Sequence, residues 1–183
     1  MGIPPYKRYV VIGTTSSGKS TLAKQLARKI GGDFIELDAL NWGPNWTAAG
    51  DEILRARVEE AIRSPSWVVA GNYSATRPIT WARAEAVIWL DYTFPVVFWR
   101  LLTRTIRRGV RQEELWNGNR ENFWWHLKLW SDESLFHWLF KTYWRRKREV
   151  PGLFAQSEYL HLKIFHFQNP KETDEWLSQL SQD

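Results

Sequence analysis

Apolar residues in this chain fall into short runs that are separated by stretches with helical spacing. Four runs, at 9–12, 34–37, 67–70 and 86–90, are rich in β-branched and aromatic residues and predict buried strands. A fifth strand is predicted at 160–167. After the first run, Leu22, Leu26 and Ile30 recur every four residues, which predicts an amphipathic helix that ends at Gly31.

The same spacing predicts further helices along the chain. They cover 51–63, a stretch from Pro95 to about Arg108, a partly broken region at 120–148 and a closing helix at 171–180. Within the broken region Ser131 predicts a new helix start, and Pro151 with Gly152 predicts its end. Because strands alternate with helices, we expect an α/β fold with a parallel sheet covered on both faces. At 183 residues, the chain is predicted to form one domain over 1–183.

Composition narrows the class of protein. Hydrophobic residues make up 44% and charged residues 25%, which is an ordinary globular balance. No apolar run approaches the roughly 18 residues that span a bilayer, and we expect no membrane partner and a cytoplasmic location. The absence of cysteine excludes disulfides and thiolate metal sites. The net charge of +5 suits an anionic partner, of which nucleotides, nucleic acids and acidic membranes are examples.

The most specific pattern directly follows the first predicted strand. It matches G-x-x-x-x-G-K-[ST] and reads Gly13-Thr14-Thr15-Ser16-Ser17-Gly18-Lys19-Ser20. Glycine-rich backbone lets successive N–H groups curl around a phosphate, and the helix that follows presents its own free N–H groups to the same anion. The strand before and the helix after the pattern provide the context that it needs. We therefore predict a nucleotide-binding loop for ATP.

Individual residues of this loop have predictable tasks. Lys19 would bridge the β- and γ-phosphates, and the Ser20 hydroxyl would be a ligand of Mg²⁺. Thr21 is placed to reach the α-phosphate. The four histidines show no metal-ligand spacing, so the predicted metal is Mg²⁺ brought by the nucleotide.

Three further segments, together with this loop, carry a resemblance to a known family. They read Leu37-Asp38-Ala39-Leu40-Asn41-Trp42, Val69-Ala70-Gly71-Asn72-Tyr73 and Glu114-Leu115-Trp116-Asn117-Gly118-Asn119-Arg120-Glu121. Over about residues 7–180 the chain resembles small bacterial P-loop proteins known as adenylate-kinase-like or DNA topology modulation proteins. The resemblance implies a fold of the nucleoside-monophosphate-kinase type, a three-layer P-loop NTPase with a five-stranded parallel sheet in the order 2-3-1-4-5. It also implies that the segment starting at Asn169 holds the adenine ring.

The sequence departs from adenylate kinases proper after the third strand. Those enzymes carry an Asp-Gly-Phe-Pro-Arg segment there, whose Asp orients Mg²⁺-bound water. This chain has Ala70 at that point, and its next arginine is Arg77. AMP is therefore doubtful as the acceptor. Asp38 and Asp91 both follow predicted strands, where open α/β sheets bind ligands, and are the candidate substitutes.

The predicted acceptor side covers about residues 38–66 together with the turn after the third strand. Asp38 would take the proton of a hydroxyl acceptor, or orient Mg²⁺-bound water or bind substrate if the acceptor is a phosphate. The alternative is an aspartate that caps a loop. Other predicted substrate contacts are Trp42, Gly71, Asn72, Tyr73, Arg77 and Arg120. For Trp42, Trp46 and Tyr73 the alternative is core packing.

Arginines follow the fourth predicted strand at helical spacing. Arg100, Arg104, Arg107 and Arg111 share one helix face with Arg108 alongside, opposite Phe98, Leu102 and Ile106. We expect a short helical lid over about 100–122 that closes above the transferring phosphoryl group, with Arg104, Arg107, Arg108 and Arg111 as catalytic candidates. The turn at 117–119 could flex with this lid. The alternative is a solvated basic face.

A second basic run, Arg145-Arg146-Lys147-Arg148, is predicted to be a solvated helix end. The sequence thus favours an ATP-dependent phosphotransferase of the nucleoside-monophosphate-kinase type that acts on a small-molecule acceptor. One alternative is an ATP-binding regulatory or nucleic-acid-associated protein, motivated by the basic charge. Another is a kinase that has lost turnover, motivated by Ala70. The acceptor and the oligomeric state stay open.

Overall fold

The structure is a computed structural model that describes residues 6–111, 114–119 and 135–180, and only the backbone of residues 109–111. Its strands are β1 (Arg8–Gly13), β2 (Asp33–Glu36), β3 (Trp67–Ala70), β4 (Ala86–Leu90) and β5 (Lys163–Phe167). Its α-helices are α1 (Lys19–Lys29), α2 (Leu37–Asn41), α3 (Asp51–Ala61), α4 (Arg77–Arg83), α5 (Phe94–Arg111), α6 (Leu135–Phe154) and α7 (Pro170–Gln179). Short 3₁₀ turns lie at Pro44–Trp46, Ser74–Thr76, Trp116–Gly118 and Ser157–Tyr159. No helix within these ranges is long and apolar enough to cross a lipid bilayer.

All five strands run parallel in one sheet with the order β2-β3-β1-β4-β5. This confirms the topology that the resemblance implied. Near the carboxyl edge of the sheet, Gly13 of β1 pairs with Leu90 of β4, and Glu36 of β2 pairs with Ala70 of β3. The segments that follow these four strands therefore meet at one edge, where open α/β sheets bind ligands.

Helices cover both faces of the sheet because its central strand alternates between two apolar cores. Tyr9 and Val11 of β1 point into one core, which is filled mainly from α1, α5, α6 and α7. Val10 and Ile12 point into the other, which α3 and α4 fill together with the end of α6. Such a strand is buried on both sides, which explains why its sequence reads as a continuous apolar run. The result is the predicted three-layer α/β arrangement.

Several elements depart from the sequence prediction. Leu37 begins the unpredicted helix α2 instead of ending the second strand, and β5 begins at Lys163 instead of at residue 160. The predicted helix start at Ser131 lies outside the described residues.

Two further departures concern helices. The first is α4, which was not predicted because a seven-residue helix offers too few turns for a periodic pattern. The second is the end of α6, which continues through Pro151 to Phe154, so the predicted end at Pro151 is wrong. The ring of Phe154 stacks on Trp81 with centroids 5.5 Å apart. This packing stabilises the last turn and offsets the hydrogen bond that proline cannot donate.

Gly71 sits where β3 meets α2. Its φ of +146° lies in a region that favours glycine, and a Cβ there would come within 2.8 Å of the Leu37 side chain. Leu37 is buried and immediately precedes Asp38. The bare backbone of Gly71 thus lets α2 pack against β3 and sets the position of Asp38.

Replacing Gly71 with Ala should lower the free energy of unfolding by about 1–3 kcal/mol, because the methyl group overlaps Leu37 and the backbone is strained. Urea unfolding followed by circular dichroism measures this. Gly152→Ala is the matched control, since no heavy atom lies within 4 Å of the added methyl and the position is helical. That variant should be neutral or up to about 1 kcal/mol more stable. Equal stability of the two variants would contradict the packing argument.

Candidate active site

The loop between β1 and α1, residues 13–20, has the backbone of an anion-binding nest. Gly13, Ser16 and Gly18 have positive φ values of 155°, 58° and 96°. Positive-φ residues that alternate with ordinary ones are typical of a backbone nest that binds anions. A Cβ on Gly13 would lie 2.7 Å from both the Leu90 carbonyl oxygen and the Ser17 hydroxyl. Glycine is therefore required where the loop leaves the sheet.

The loop also holds polar groups that find no partner in the protein. The hydroxyls of Thr14, Ser16 and Ser17 are buried and make no hydrogen bond within the part of the chain that the structure describes. Unpaired buried hydroxyls are uncommon and unfavourable. Hydroxyl donors beside the N-terminus of α1 suit an anionic ligand with several oxygens. The loop thus fits a phosphate chain.

Lys19 lies at the centre of the site. Its ammonium donates a hydrogen bond to the Thr14 carbonyl oxygen at 2.7 Å. Burial is the largest cause that lowers the pKa of Lys19; together with the nearby guanidinium groups of Arg146 and Arg104, and against the opposing carboxylates of Asp38 and Glu36, it brings this pKa to about 8. Lys19 is therefore within electrostatic range of charged groups from four other elements.

Two hard oxygen donors adjoin Lys19. The Ser20 hydroxyl donates to a carboxylate oxygen of Glu36, and the other oxygen of Glu36 accepts the Trp116 indole N–H at 3.0 Å. Hydroxyl and carboxylate oxygens are ligands that Mg²⁺ uses together with nucleotide phosphates. No group of three or more His, Asp or Glu side chains within the described residues could hold a metal alone. Ser20 and Glu36 therefore fit a metal that arrives with phosphate.

Sequence reasoning missed Glu36. Its signal was its position: it is the last residue of β2, two before Asp38, at the edge where the ligand was already expected. Within an apolar run, a single acidic residue gives no local signal beyond that of the strand itself.

Asp38 lies in the first turn of α2, directly after β2 and Leu37. The Tyr73 hydroxyl donates to Asp38 at 2.7 Å, and the Asn41 amide donates to the Tyr73 oxygen at 3.4 Å. Burial and the neighbouring Asp38 carboxylate raise the pKa of Tyr73, so its phenol stays a proton donor to Asp38. Trp42 adjoins Tyr73 in the same cluster. The structure thus brings together three predicted acceptor-side residues.

The other predicted residues of this side are spread out. Asn72 lines a small cavity with Gly13 and Thr14 next to the loop. Arg77 instead stacks over Trp81, with 5.4 Å from its guanidinium carbon to the ring centroid. Arg120 lies outside the described residues.

Asp91, the second candidate acid, has different surroundings. It is 8% exposed, and its Oδ2 lies 3.2 Å from the Lys147 ammonium and 3.1 Å from His166 Nε2. The His166 ring in turn stacks on Trp89 with centroids 4.1 Å apart. Asp91 therefore anchors α6 to the sheet edge, and the geometry favours Asp38 as the acid of the site.

The arginines of α5 do not all face the loop. Arg100 donates to the Ser17 carbonyl oxygen at 3.1 Å, and Arg104 is close enough to Lys19 to lower its pKa. Both are half-buried, as is Arg108, whereas Arg107 is exposed, so the face toward the site follows a four-residue spacing. Ile106, which was predicted on the face opposite to the arginines, is 45% exposed. The side chain of Arg111 lies outside the described residues.

Arg146 was predicted to be solvated, and this prediction is wrong. Its guanidinium donates to the Gly13 carbonyl oxygen at 3.3 Å and lines the cavity beside the loop. Lys147, next to it, forms the ion pair with Asp91. The signal was in the helix spacing, since Arg146 falls three residues after Tyr143 and four before Val150, both buried.

Comparison with solved structures agrees with this architecture. A crystal structure of shikimate kinase from Bacteroides thetaiotaomicron aligns over 94% of this chain and 94% of its own, with a TM-score of 0.54 and 18% identity. A gluconokinase from Sinorhizobium meliloti 1021 covers 95% of this chain and 93% of its own, at 19% identity and a TM-score of 0.49. A deoxyadenosine kinase from M. mycoides covers 93% and 96%, at 11% identity and a TM-score of 0.49. No family model and no curated protein sequence matches the chain. The shikimate kinase match shows that the chain has a P-loop kinase fold.

The Lys19 ammonium should titrate at a midpoint of about pH 8 in the ligand-free protein. Carbon-13 NMR of protein labelled at lysine Cε measures this, with Lys19→Arg to assign the signal. In Arg146→Gln the midpoint should rise, because removing a neighbouring cation favours the charged form. A Lys19 signal that titrates at the ordinary value of about 10.4 would contradict the crowding of cations described above.

Proposed function

We propose that this protein is an ATP-dependent phosphotransferase that moves the γ-phosphoryl group to a small-molecule acceptor. The observation that carries the proposal is the location of Lys19. Lys19 belongs to the predicted phosphate-binding loop, where it bonds to Thr14, and it also lies within electrostatic range of Asp38. Donor phosphates and an acceptor hydroxyl would therefore meet beside one ammonium group. The resemblance to adenylate-kinase-like proteins supports the same class of reaction.

On the donor side, the ATP phosphates would lie along residues 13–21. Ser20 and Glu36 would hold Mg²⁺, which would neutralise negative charge on the phosphates. Lys19, Arg104 and Arg146 place three positive charges near the same point. Preorganised cations stabilise the charge that spreads over the transferring phosphoryl oxygens. Arg107, Arg108 and Arg111 stay candidates for the same task from the lid.

On the acceptor side, the contacts favour a hydroxyl over a phosphate. A carboxylate beside the acceptor can take its proton as the oxygen bonds to the γ-phosphorus and the bond to ADP breaks. Among the described residues, three arginines that follow β2 and β3 make other contacts: Arg55 donates to the Ala75 carbonyl, Arg57 donates to the Leu40 carbonyl, and Arg77 stacks on Trp81. We therefore propose Asp38 as the base, with Tyr73 holding its orientation.

The alternative is an ATP-binding regulatory or nucleic-acid-associated protein without a small acceptor. Its motivating cluster at 145–148 is divided, because Arg146 and Lys147 face the site while Arg145 and Arg148 are exposed. Salt-sensitive binding of DNA or RNA combined with no acceptor-dependent ADP release would favour this alternative.

Replacing Lys19 with Ala should weaken MgADP binding by about 100-fold or more, because a partly buried charge contact to phosphate is lost. Isothermal titration calorimetry measures this. Lys24→Ala is the control, since Lys24 is an exposed lysine on the same helix and should leave the affinity unchanged. Wild-type affinity in the Lys19 variant would refute the nucleotide site.

Asp38→Asn should lower acceptor-dependent ADP release by about 10²–10⁴-fold while MgADP binding stays within a few-fold of wild type, because only the base is removed. A panel of nucleosides, sugars, other small hydroxyl compounds and nucleoside monophosphates identifies the acceptor. Asp33→Asn, an exposed residue at the opposite end of the same strand region, serves as the control.

The panel separates the two acceptor classes. Release of ADP only with nucleoside monophosphates, together with near wild-type turnover in Asp38→Asn, would contradict a hydroxyl acceptor. No acceptor dependence across the whole panel would contradict the phosphotransferase itself.

A further inference from the structure

The segment at residues 114–119 belongs to a motif that identifies relatives, and its contacts connect the two halves of the site. Its Trp116 indole N–H donates to Glu36 Oε2 at 3.0 Å. The other oxygen of Glu36 accepts the Ser20 hydroxyl. Both oxygens of this carboxylate are therefore held, one from the phosphate-binding loop and one from the 114–119 segment.

The same segment is bound to the acceptor loop, which we define as residues 42–47. Asn119 is 4% exposed and uses both ends of its amide: Oδ1 accepts the Trp46 backbone N–H at 2.8 Å, and Nδ2 donates to the Gly43 carbonyl at 2.8 Å. The same Nδ2 donates to the Trp116 carbonyl at 2.8 Å. Asn117 adds a bond from its amide to the Trp42 carbonyl at 2.5 Å. The two segments are thus joined by side-chain amides.

Backbone strain marks the same contact. Trp46 has a φ of 56°, a conformation that a bulky side chain rarely adopts. Such strain persists only where surrounding contacts determine it, and it concentrates at functional sites. Here Asn119 accepts the N–H of the strained residue. The acceptor loop therefore keeps its shape through the 114–119 segment.

Indole rings fill the space between these hydrogen bonds. Trp42 packs edge-on against Trp46 with centroids 5.7 Å apart, and Trp46 packs edge-on against Trp116 at 6.3 Å. The Trp42 side chain lies next to the Tyr73 hydroxyl, and this hydroxyl donates a hydrogen bond to Asp38. A continuous chain of contacts thus runs from Asp38 through three tryptophans to Glu36.

We propose that Trp116 is a positioning residue that holds Glu36 in the orientation needed for the metal and couples the acceptor loop to the metal site. This rests on the proposed function, in which Ser20 and Glu36 hold Mg²⁺. If the Ser20 hydroxyl served as a ligand of the metal, the indole N–H of Trp116 would still orient Glu36. Loss of such an outer contact typically costs 10- to 100-fold in metal affinity.

The test compares nucleotide binding with and without metal. Isothermal titration calorimetry gives the Kd of ADP in EDTA and in Mg²⁺. The ratio of the Kd in EDTA to the Kd in Mg²⁺ reports how much the metal strengthens binding. In Trp116→Phe, which removes the N–H and keeps an aromatic ring, the ratio should fall about tenfold, while the Kd in EDTA stays near wild type. Trp99→Phe makes the same chemical change at an exposed position and should leave the ratio unchanged.

A second variant tests the coupling at a distance. Asn119→Asp keeps an oxygen for the Trp46 N–H but turns a carboxylate toward the carbonyls of Gly43 and Trp116. Asn119 bonds to Trp46, Gly43 and Trp116 rather than to Glu36. Even so, this variant should lower the ratio of the two Kd values, as Trp116→Phe does. It should also raise the KM for the acceptor.

The outcomes are distinguishable. An unchanged ratio in both variants overturns the proposal. So does an equal loss of affinity with and without metal, which would mean that Trp116 only supports the fold. Wild-type protein that binds no nucleotide under either condition would instead refute the proposed function.

Discussion

The constraint on which the site depends is the burial of the Lys19 ammonium next to other cations. Burial is the largest cause of its lowered pKa, and the Arg146 and Arg104 guanidinium groups lower that pKa further, against the opposing carboxylates of Asp38 and Glu36. A protein that gathers like charges in one place stores unfavourable electrostatic energy that a polyanion relieves on binding. The loop at 13–20 supplies the neutral part of the same receptor through buried hydroxyls that have no partner within the described chain. The cations around Lys19 and the hydroxyls of the loop are therefore both suited to a polyanion such as a phosphate chain.

The sheet brings these groups together because β1, β2 and β4 all end at one edge. Lys19 follows β1 and Asp38 follows β2, whereas Arg146 comes from α6, far along the chain. Its position depends on the neighbouring ion pair, in which Lys147 binds the buried Asp91 at the end of β4. The Lys147 side chain is 39% exposed, so this pair is only partly buried, and the contact of Asp91 with His166 adds to it in holding α6 at the sheet edge. The acid that the sequence left as a catalytic candidate thus has a structural task.

Sequence reasoning succeeded where the geometry is local. Residues 13–20 could be interpreted in advance because a strand, a glycine-rich turn and a helix start lie within a few residues of one another, and the order of the strands followed from resemblance rather than from the pattern. Glu36 and Arg146 were missed because their contacts join residues 16 and 133 positions apart, which no local pattern encodes. The end of α6 was misplaced because Phe154 packs on Trp81, and this long-range contact outweighs the local effect of Pro151.

Under the proposed function, the contacts of the 114–119 segment bear on how phosphoryl transfer to water is avoided. If the acceptor loop and the Glu36 carboxylate moved independently, the donor would be activated while the acceptor side was still open to solvent. The amide of Asn119 and the indole of Trp116 together contact both, and under the proposed coupling a displacement of one would be transmitted to the other through packed rings and short hydrogen bonds. Under the proposed function, an ordered acceptor side then favours an ordered metal site, and the converse follows because coupling between two binding sites is reciprocal. Closure that completes a catalytic site only around the correct substrate gives specificity at a cost in binding energy. The strained backbone of Trp46 is consistent with such a cost being present already in the free protein.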